Sequence, residues 1–456
     1  MAMKQVDFAQ GSITKKIFQT AMPMLVAQIL NLLYNIVDRI YIGRIPNIGT
    51  LALGSVGLCF PIITIIMAFA NLYSSGGAPL FAIDRGKQDT NHAQKIMNTS
   101  FVMLVYTGIL LTVILFIFAR PILIAFGASK QTLIYSLPYM RIYLIGTIAS
   151  MISTGMNAFI NAEGYPKAGM MTVLIGAVAN IILDPLFIFV FGLNVEGAAI
   201  ATVISQILSA LFVVRFLTRS NIEITLHWIQ PSAFYRAKDI LSLGLAGFIM
   251  QLTNGLVQIA CNHMLSLTGG DLYVSVMTIV SSVRQMLEIP IWAITDGSSP
   301  ILSFNYGAKA YSRVKQAFWV MLGLTIVYAG LIWLLIEKIP LFFISIFSND
   351  PVLQAPSRQA LHLYFFAFIF MVFQYTGQTM FKSLNRKGFA IFFSLLRKVI
   401  IVIPLTILLP HWLGANGVFI AEPISNVVGG LACFITMFCT LWKELTYDDT
   451  HRGESK

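Results

Sequence analysis

The chain has 456 residues, 57% of them hydrophobic and only 11% charged, with a mean hydropathy of +0.79. A soluble protein carries about 25% charged residues, so this composition excludes an ordinary water-soluble domain. The formal charge of +11 would suit a nucleic-acid partner, but its distribution along the chain argues against one.

Crossing the hydrocarbon core takes about 20 apolar residues at about 1.5 Å each. Apolar runs of that length predict an all-α integral membrane protein of twelve transmembrane helices. They fall at about 13–43, 50–81, 92–119, 131–161, 166–191, 196–218, 238–268, 272–304, 312–336, 354–383, 387–409 and 415–442. Roughly 20 Lys and Arg fall on one set of alternate connections and about 5 on the other. The rich set includes Lys15 and Lys16, the Arg85–Lys95 loop, Arg215 to Lys238, Lys309 to Lys315, and Arg386 with Lys387. The basic excess therefore sets topology in a multi-pass protein of the cell membrane, with both termini cytoplasmic. The first apolar stretch carries Pro23 and Asp38 and is too long for a removable signal peptide.

The polar stretch 219–237 (Arg219, Asn221, Glu223, His227, Gln230, Pro231) reads as a cytoplasmic linker. It separates an N-terminal six-helix lobe over 1–218 from a C-terminal one over 238–456. Trp228 and Tyr235 leave open a second reading, an amphipathic segment lying in the membrane interface.

An internal repeat recurs at an offset of about 221 residues. Helix 1 carries Gln28, Asn31, Asn35 and Asp38, and helix 7 carries Gln251, Asn254, Gln258 and Cys261 at the same spacing. Pro79-Leu-Phe-Ala-Ile-Asp-Arg-Gly86 answers Pro300-Ile-Leu-Ser-Phe-Asn-Tyr-Gly307, and Pro185 answers Pro404. Glu196-Gly-Ala-Ala-Ile-Ala-Thr202 answers Asn416-Gly-Val-Phe-Ile-Ala-Glu422. An even number of helices per copy brings both halves in from the same side. They are expected to be related by a pseudo-two-fold axis along the membrane normal, with a cleft between them.

A carboxylate inside lipid costs about 2.5–3.5 kcal/mol on insertion scales, so each one asks for an explanation. Asp38 ends a stripe formed with Gln28, Asn31 and Asn35, whose steps of three and four place them on one helix face. Helix 5 adds Asn180 and Asp184, one turn apart, just before Pro185. Helix 6 adds Thr202, and helix 4 adds Thr154, Asn157 and Asn161. Two carboxylates, an amide and a hydroxyl make an oxygen set suited to a hard cation. If Asp38 and Asp184 meet, both cannot stay ionised without a cation, so the pair titrates as a unit and can exchange H⁺ or Na⁺. The alternative is that each Asp only braces its helix. In the second copy, Cys261 stands for Asp38, while Val399 and Ile403 stand for Asn180 and Asp184, so the constellation exists in one lobe only.

The second lobe has charges of its own: Arg284 and Glu288 on helix 8, Arg397 and Lys398 on helix 11, and Glu422 on helix 12. Mutual pairing in a structural network is the first reading, and attraction of cationic compounds by Glu288 or Glu422 is the second. The phosphate loop G-x-x-x-x-G-K-[ST] is absent from the sequence. The six histidines are scattered without zinc spacing, with His263 expected in the core. The four cysteines read as buried thiols. No cofactor is expected, and no metal beyond a Na⁺ at the cation site.

The run Pro23-x4-Gln28-x2-Asn31-x2-Tyr34-Asn35-x2-Asp38-x4-Gly43, the Pro79-to-Gly86 segment with its repeat, Asn180-x3-Asp184-Pro185 and Gly197-x4-Thr202 together resemble the multidrug and toxic compound extrusion (MATE) family. The resemblance covers almost the whole chain. It implies two six-helix lobes and antiport of amphipathic, often cationic drugs or metabolites against Na⁺ or H⁺, by a monomer. In one prokaryotic branch the ion site lies in the first lobe, and its motif maps onto Asp38, Asn180, Asp184 and Thr202. Tyr34, Tyr139 and Asn157 match positions lining the same cavity. Another branch uses acidic residues on helices 7 and 10, where this chain has Asn254, Gln374 and Gln378. Substrate-cavity candidates are Gln28, Asn31, Tyr34, Asn35, Tyr139, Thr154, Asn157, Gln251, Asn254, Glu288 and Gln378. The alternatives are a lipid-linked-precursor flippase, which calls for a strongly cationic cavity, and a major-facilitator-type transporter, to whose loop motif Asp84-Arg-Gly-Lys87 is faintly similar. A membrane-embedded enzyme or receptor lacks a nucleophile–base pair or metal cluster in this sequence.

Overall fold

The computed structural model describes residues 4–219, 222–227, 234–348 and 350–446, and its regular structure is entirely helical among them. Among the described residues ten helices are long and apolar enough to cross a membrane. Two bent pairs bring the number of spans to twelve. In chain order they are α1 (Ile13–Gly43), α2 (Gly49–Gly86), α3 (Thr90–Ala125), α4 (Lys130–Ile145 with Thr147–Ala162), α5 (Pro166–Val190) and α6 (Asn194–Leu217). The second six are α7 (Ala237–Gly270), α8 (Leu272–Gly307), α9 (Tyr311–Lys338), α10 (Pro351–Phe365 with Phe368–Ser383), α11 (Lys387–Leu413) and α12 (Ala415–Thr446).

The helix starts follow from local chemistry. The Asp89 side chain accepts from the His92 amide at 3.0 Å, and Asp350 accepts from that of Val352 at 2.9 Å. Ser129 and Thr132 form a reciprocal capping box at the head of α4. Pro166 and Pro351 sit in first turns, where a missing N–H leaves no bond unmade. Several spans run past the predicted apolar limits, because polar ends such as Asp84-Arg85-Gly86 stay helical.

The repeat is written in the backbone as well as in the sequence. α4 and α10 are each bent, by 55° and 45°. Left-handed φ values recur 221 residues apart, at Gln88 (63°) and Lys309 (57°), and at Gly164 (94°) and Asn385 (60°). Turn geometry has been kept where the side chains have not. π-helical stretches interrupt α5 at Leu186–Val190 and α11 at Leu396–Val402.

The chain forms two compact units, Met1–Asp7 with Pro23–Phe248, and Phe8–Met22 with Ile249–Lys456. These differ from the sequence boundaries at two places. Residues 8–22 belong with the second unit because Phe8 is buried there, its carbonyl accepting from Asn305 Nδ2 at 3.1 Å and Arg313 Nη2 at 3.2 Å. The start of α7 belongs with the first unit. A Cβ on Gly76 would lie 2.0 Å from the Ile240 carbonyl oxygen, and one on Gly244 would lie 1.7 Å from that of Leu72. Only glycine lets these two helices approach so closely.

The linker is more embedded than a solvated connection. Ile222, Ile224 and Leu226 bury alternate side chains in the first unit, and Tyr235 stacks on His92 with ring centroids 5.3 Å apart. Asn221, Trp228, Gln230 and Pro231 lie outside the described residues. Arg85 Nη2 meets Glu223 at 3.0 Å, and Arg236 Nη1 meets Asp84 at 3.2 Å. At the end of α4, Glu163 is 1% exposed and accepts from the Ile224 amide at 3.2 Å.

Candidate functional site: a buried carboxylate pair in the first unit

α1 and α5 bring Asp38 and Asp184 within electrostatic reach of each other. One turn before Asp184, Asn180 donates from Nδ2 to Asp184 Oδ1 at 3.1 Å and to Thr202 Oγ1 of α6 at 3.4 Å. Asp184 is fully buried and Asn180 nearly so. All four predicted cation-site residues therefore meet. Three buried oxygens at this point have no hydrogen-bond partner: Asp38 Oδ1, Asn180 Oδ1 and Asp184 Oδ2. Two carboxylates in contact need a proton or a cation between them, and the unpartnered oxygens supply acceptors for either.

Tyrosines close the site. Tyr34 of α1 and Tyr139 of α4 lie within electrostatic reach of both carboxylates. The Tyr139 ring stacks on that of Tyr143 with centroids 6.4 Å apart, and Tyr143 OH accepts from Gln206 Nε2 at 3.3 Å. Sequence reasoning missed Tyr143 and Gln206. The signal was present, since Gln206 follows Thr202 by one helical turn and shares its face.

The other candidates divide by unit. On α1, Asn35 Nδ2 donates to the Asn31 carbonyl at 2.6 Å, Asn31 is exposed, and Gln28 keeps an unpartnered Oε1. On α4, Thr154 is exposed and Asn157 Oδ1 is unpartnered. In the second unit Gln251 is half-buried and Asn254 is exposed on α7. Gln258 there donates to Asn262 at 3.0 Å. Glu288 and Gln378 are both about 4% exposed and engaged in packing. Glu288 pairs with Arg284, and Gln378 bonds to Ser394, tying α10 to α11. His263 is exposed rather than in the core, and Cys439 is exposed while the other three thiols are buried. Both lie on apolar helices, whose lipid-facing side is as apolar as their packed side, so hydropathy does not separate the two.

The MatE family profile matches residues 23–186 and again residues 247–408, one match in each half. The chain belongs to the MatE family. It is accordingly a multi-pass membrane transporter and not an enzyme. The multidrug export protein MepA of Staphylococcus haemolyticus is 25% identical over 447 residues, covering 97% of this chain and 96% of that one. MepA of Staphylococcus saprophyticus is 25% identical over 450 residues, with 97% of each chain covered. Among solved structures, an outward-facing multidrug resistance MATE family transporter of the MOP superfamily superposes with a TM-score of 0.89. It is 22% identical and covers 99% of this chain and 100% of its own. A MATE structure in a bent conformation gives a TM-score of 0.90, with 21% identity over 98% of this chain and 99% of that one.

Proposed function

We propose that this MATE-family multidrug efflux transporter is a cation-coupled antiporter. It exports amphipathic, often cationic compounds by alternating access, against H⁺ or Na⁺ exchanged at Asp38, Asn180, Asp184 and Thr202. One observation carries the reading: two carboxylates from neighbouring spans, with Asp184 fully buried and tied to no cation, and with buried, unpartnered oxygens on Asp38, Asp184 and Asn180. A bound proton or Na⁺ neutralises the pair. Its loss leaves two carboxylates in contact, a charge state that favours a different arrangement of α1. Pro23 removes one backbone hydrogen bond in that helix and makes bending cheaper there. Because Asn31 and Asn35 share the helix with Asp38, ion and substrate compete through α1, and linkage makes the competition reciprocal. The chain works as a monomer in the cell membrane, with both termini on the cytoplasmic side where Lys and Arg concentrate.

Efflux of a fluorescent cation from proteoliposomes under imposed H⁺ or Na⁺ gradients tests this. Asp38→Asn and Asp184→Asn each abolish gradient-driven export while the protein still inserts. Cys261→Ser, at the repeat-equivalent position, exports near the wild-type rate. Normal export by both Asp variants would overturn the proposal.

A further inference from the structure

The second unit gathers five ionisable side chains into one contact network. Arg284 Nε meets Glu288 Oε1 at 2.5 Å, and its Nη2 meets Glu422 Oε1 at 2.8 Å. Arg397 Nη2 meets the same Glu422 oxygen at 2.6 Å, and Lys398 Nζ meets it at 3.1 Å. Two consecutive cations reach one carboxylate because α11 is π-helical over Leu396–Val402, which narrows the angle between neighbouring side chains. Tyr364 OH accepts from Arg284 Nη1, Tyr375 OH donates to Glu288 Oε2 at 3.5 Å, and Arg397 lies over the Tyr375 ring at 5.6 Å.

Three cations thus face two carboxylates. The ion pairs of all three cations run to Glu288 or Glu422. Glu288, Arg397, Lys398 and Glu422 are each at least nine-tenths buried. An unbalanced charge at this depth is strongly unfavourable. Arg397 Nε is itself buried without a hydrogen-bond partner, and an N–H of a guanidinium is a donor that only an acceptor can satisfy. The repeat sets this against the first unit. Glu422 stands where the first copy has Thr202, and Cys261 where it has Asp38. The first unit's pair is acidic, and the second unit's cluster carries one cation more than it has acids.

We propose that the Arg284–Arg397–Lys398 side of this cluster binds one small monovalent anion, a halide or the carboxylate of an organic solute. The anion balances the network and accepts from Arg397 Nε. Arg284 is the network's outermost charge, its side chain 14% exposed, and marks the route of access. The inference stands apart from the cation site, and Asp38→Asn separates the two.

Full-length protein in detergent is titrated with chloride or with acetate, replacing isethionate at constant ionic strength, and its unfolding temperature is followed. The wild type gives a saturable upward shift, and Asp38→Asn gives the same shift. Lys398→Met leaves two cations facing two carboxylates, and the shift is lost. Response to both anions identifies a carboxylate-accepting site, and response to chloride alone identifies a halide site. Equilibrium binding of radiolabelled chloride or acetate to the wild type reads occupancy directly, near one per chain, without relying on any variant's folding. A wild type indifferent to both anions would overturn the proposal and indicate that Lys398 balances the cluster by shedding its proton. A Lys398→Met protein that responds as the wild type does overturns it equally.

Discussion

Glu163 offers a pH-dependent stability that can be worked from the structure. It ends α4 with its carboxyl 1% exposed. Oε1 accepts from the Ile224 amide at 3.2 Å, and Oε2 has no partner. Arg85 is the cation nearby, but its Nε and Nη2 are held by Glu223 at 3.1 and 3.0 Å, and its Nη1 by the Ala162 carbonyl at 3.1 Å. Burial therefore outweighs the attraction of Arg85, and Glu223 adds repulsion. The carboxyl is pushed up from its ordinary 4.5 to about 7. Tyr165 is the other titratable neighbour. A folded-state value above the unfolded one means that the folded chain holds this proton more tightly. The contribution is complete below about pH 4.5 and is lost as pH rises through 7. At about 1.36 kcal/mol per pH unit, the whole window is worth about 3 kcal/mol. Glu163→Gln keeps the shape and removes the titration. Denaturant unfolding of full-length protein at pH 5 and pH 8 should show wild type losing about 2.5 kcal/mol relative to the variant, since part of the window lies below pH 5. The loss should be visible first as faster hydrogen exchange at Ile224 and at Val6, whose amide donates to Gly164 in the same corner. Stability curves that run parallel across this range would refute the reasoning.

Glu422→Gln leaves Arg284, Arg397 and Lys398 around an uncharged amide and should cost about 3–5 kcal/mol. Adding Lys398→Met should recover part of that in the same unfolding assay. Gly244→Ala drives a methyl to within 1.7 Å of the Leu72 carbonyl oxygen and should cost at least about 1–3 kcal/mol. Gly255→Ala on the same helix meets open space and should be neutral or stabilising by about 0.5–1 kcal/mol.

The sequence makes the spans legible because lipid forces backbone groups to pair within a helix, so long apolar runs have one solution. It makes the residues of the carboxylate cluster legible for a related reason. A carboxylate in such a run is costly, and Asp38, Asn180 and Asp184 are spaced to share faces. What it hides depends on packing partners far along the chain. The bend in α4 falls at Gly146, but the bend in α10 and the π-helical stretch in α11 hold no glycine or proline to mark them. Gln378 reads as a polar residue available to a cavity, and only the packed position of Ser394 reveals it as a brace. The burial of the linker is legible too. Ile222, Ile224 and Leu226 alternate with polar residues at period two, the pattern of an extended segment burying one side.

Divergence of the two halves has a physical consequence for the charge state of the acids in each unit. Of the carboxylates buried in the described spans, Asp84 faces Lys87 and Arg236, Glu288 faces Arg284, and Glu422 faces three cations. Asp184 faces an amide and a second carboxylate. A carboxylate held by a fixed guanidinium keeps its charge whatever the external pH or Na⁺ concentration, because removing the charge would strand the partner. A carboxylate facing only another carboxylate must gain or lose a mobile cation to change state. Tethering cations to Glu422 and Glu288 therefore fixes the charge state of those acids, and Asp184, with an amide and a second carboxylate beside it, is the acid on which the proposed ion exchange rests. The two copies of one fold thus differ in which acids hold a fixed charge, and the placement of the lysines and arginines sets that difference.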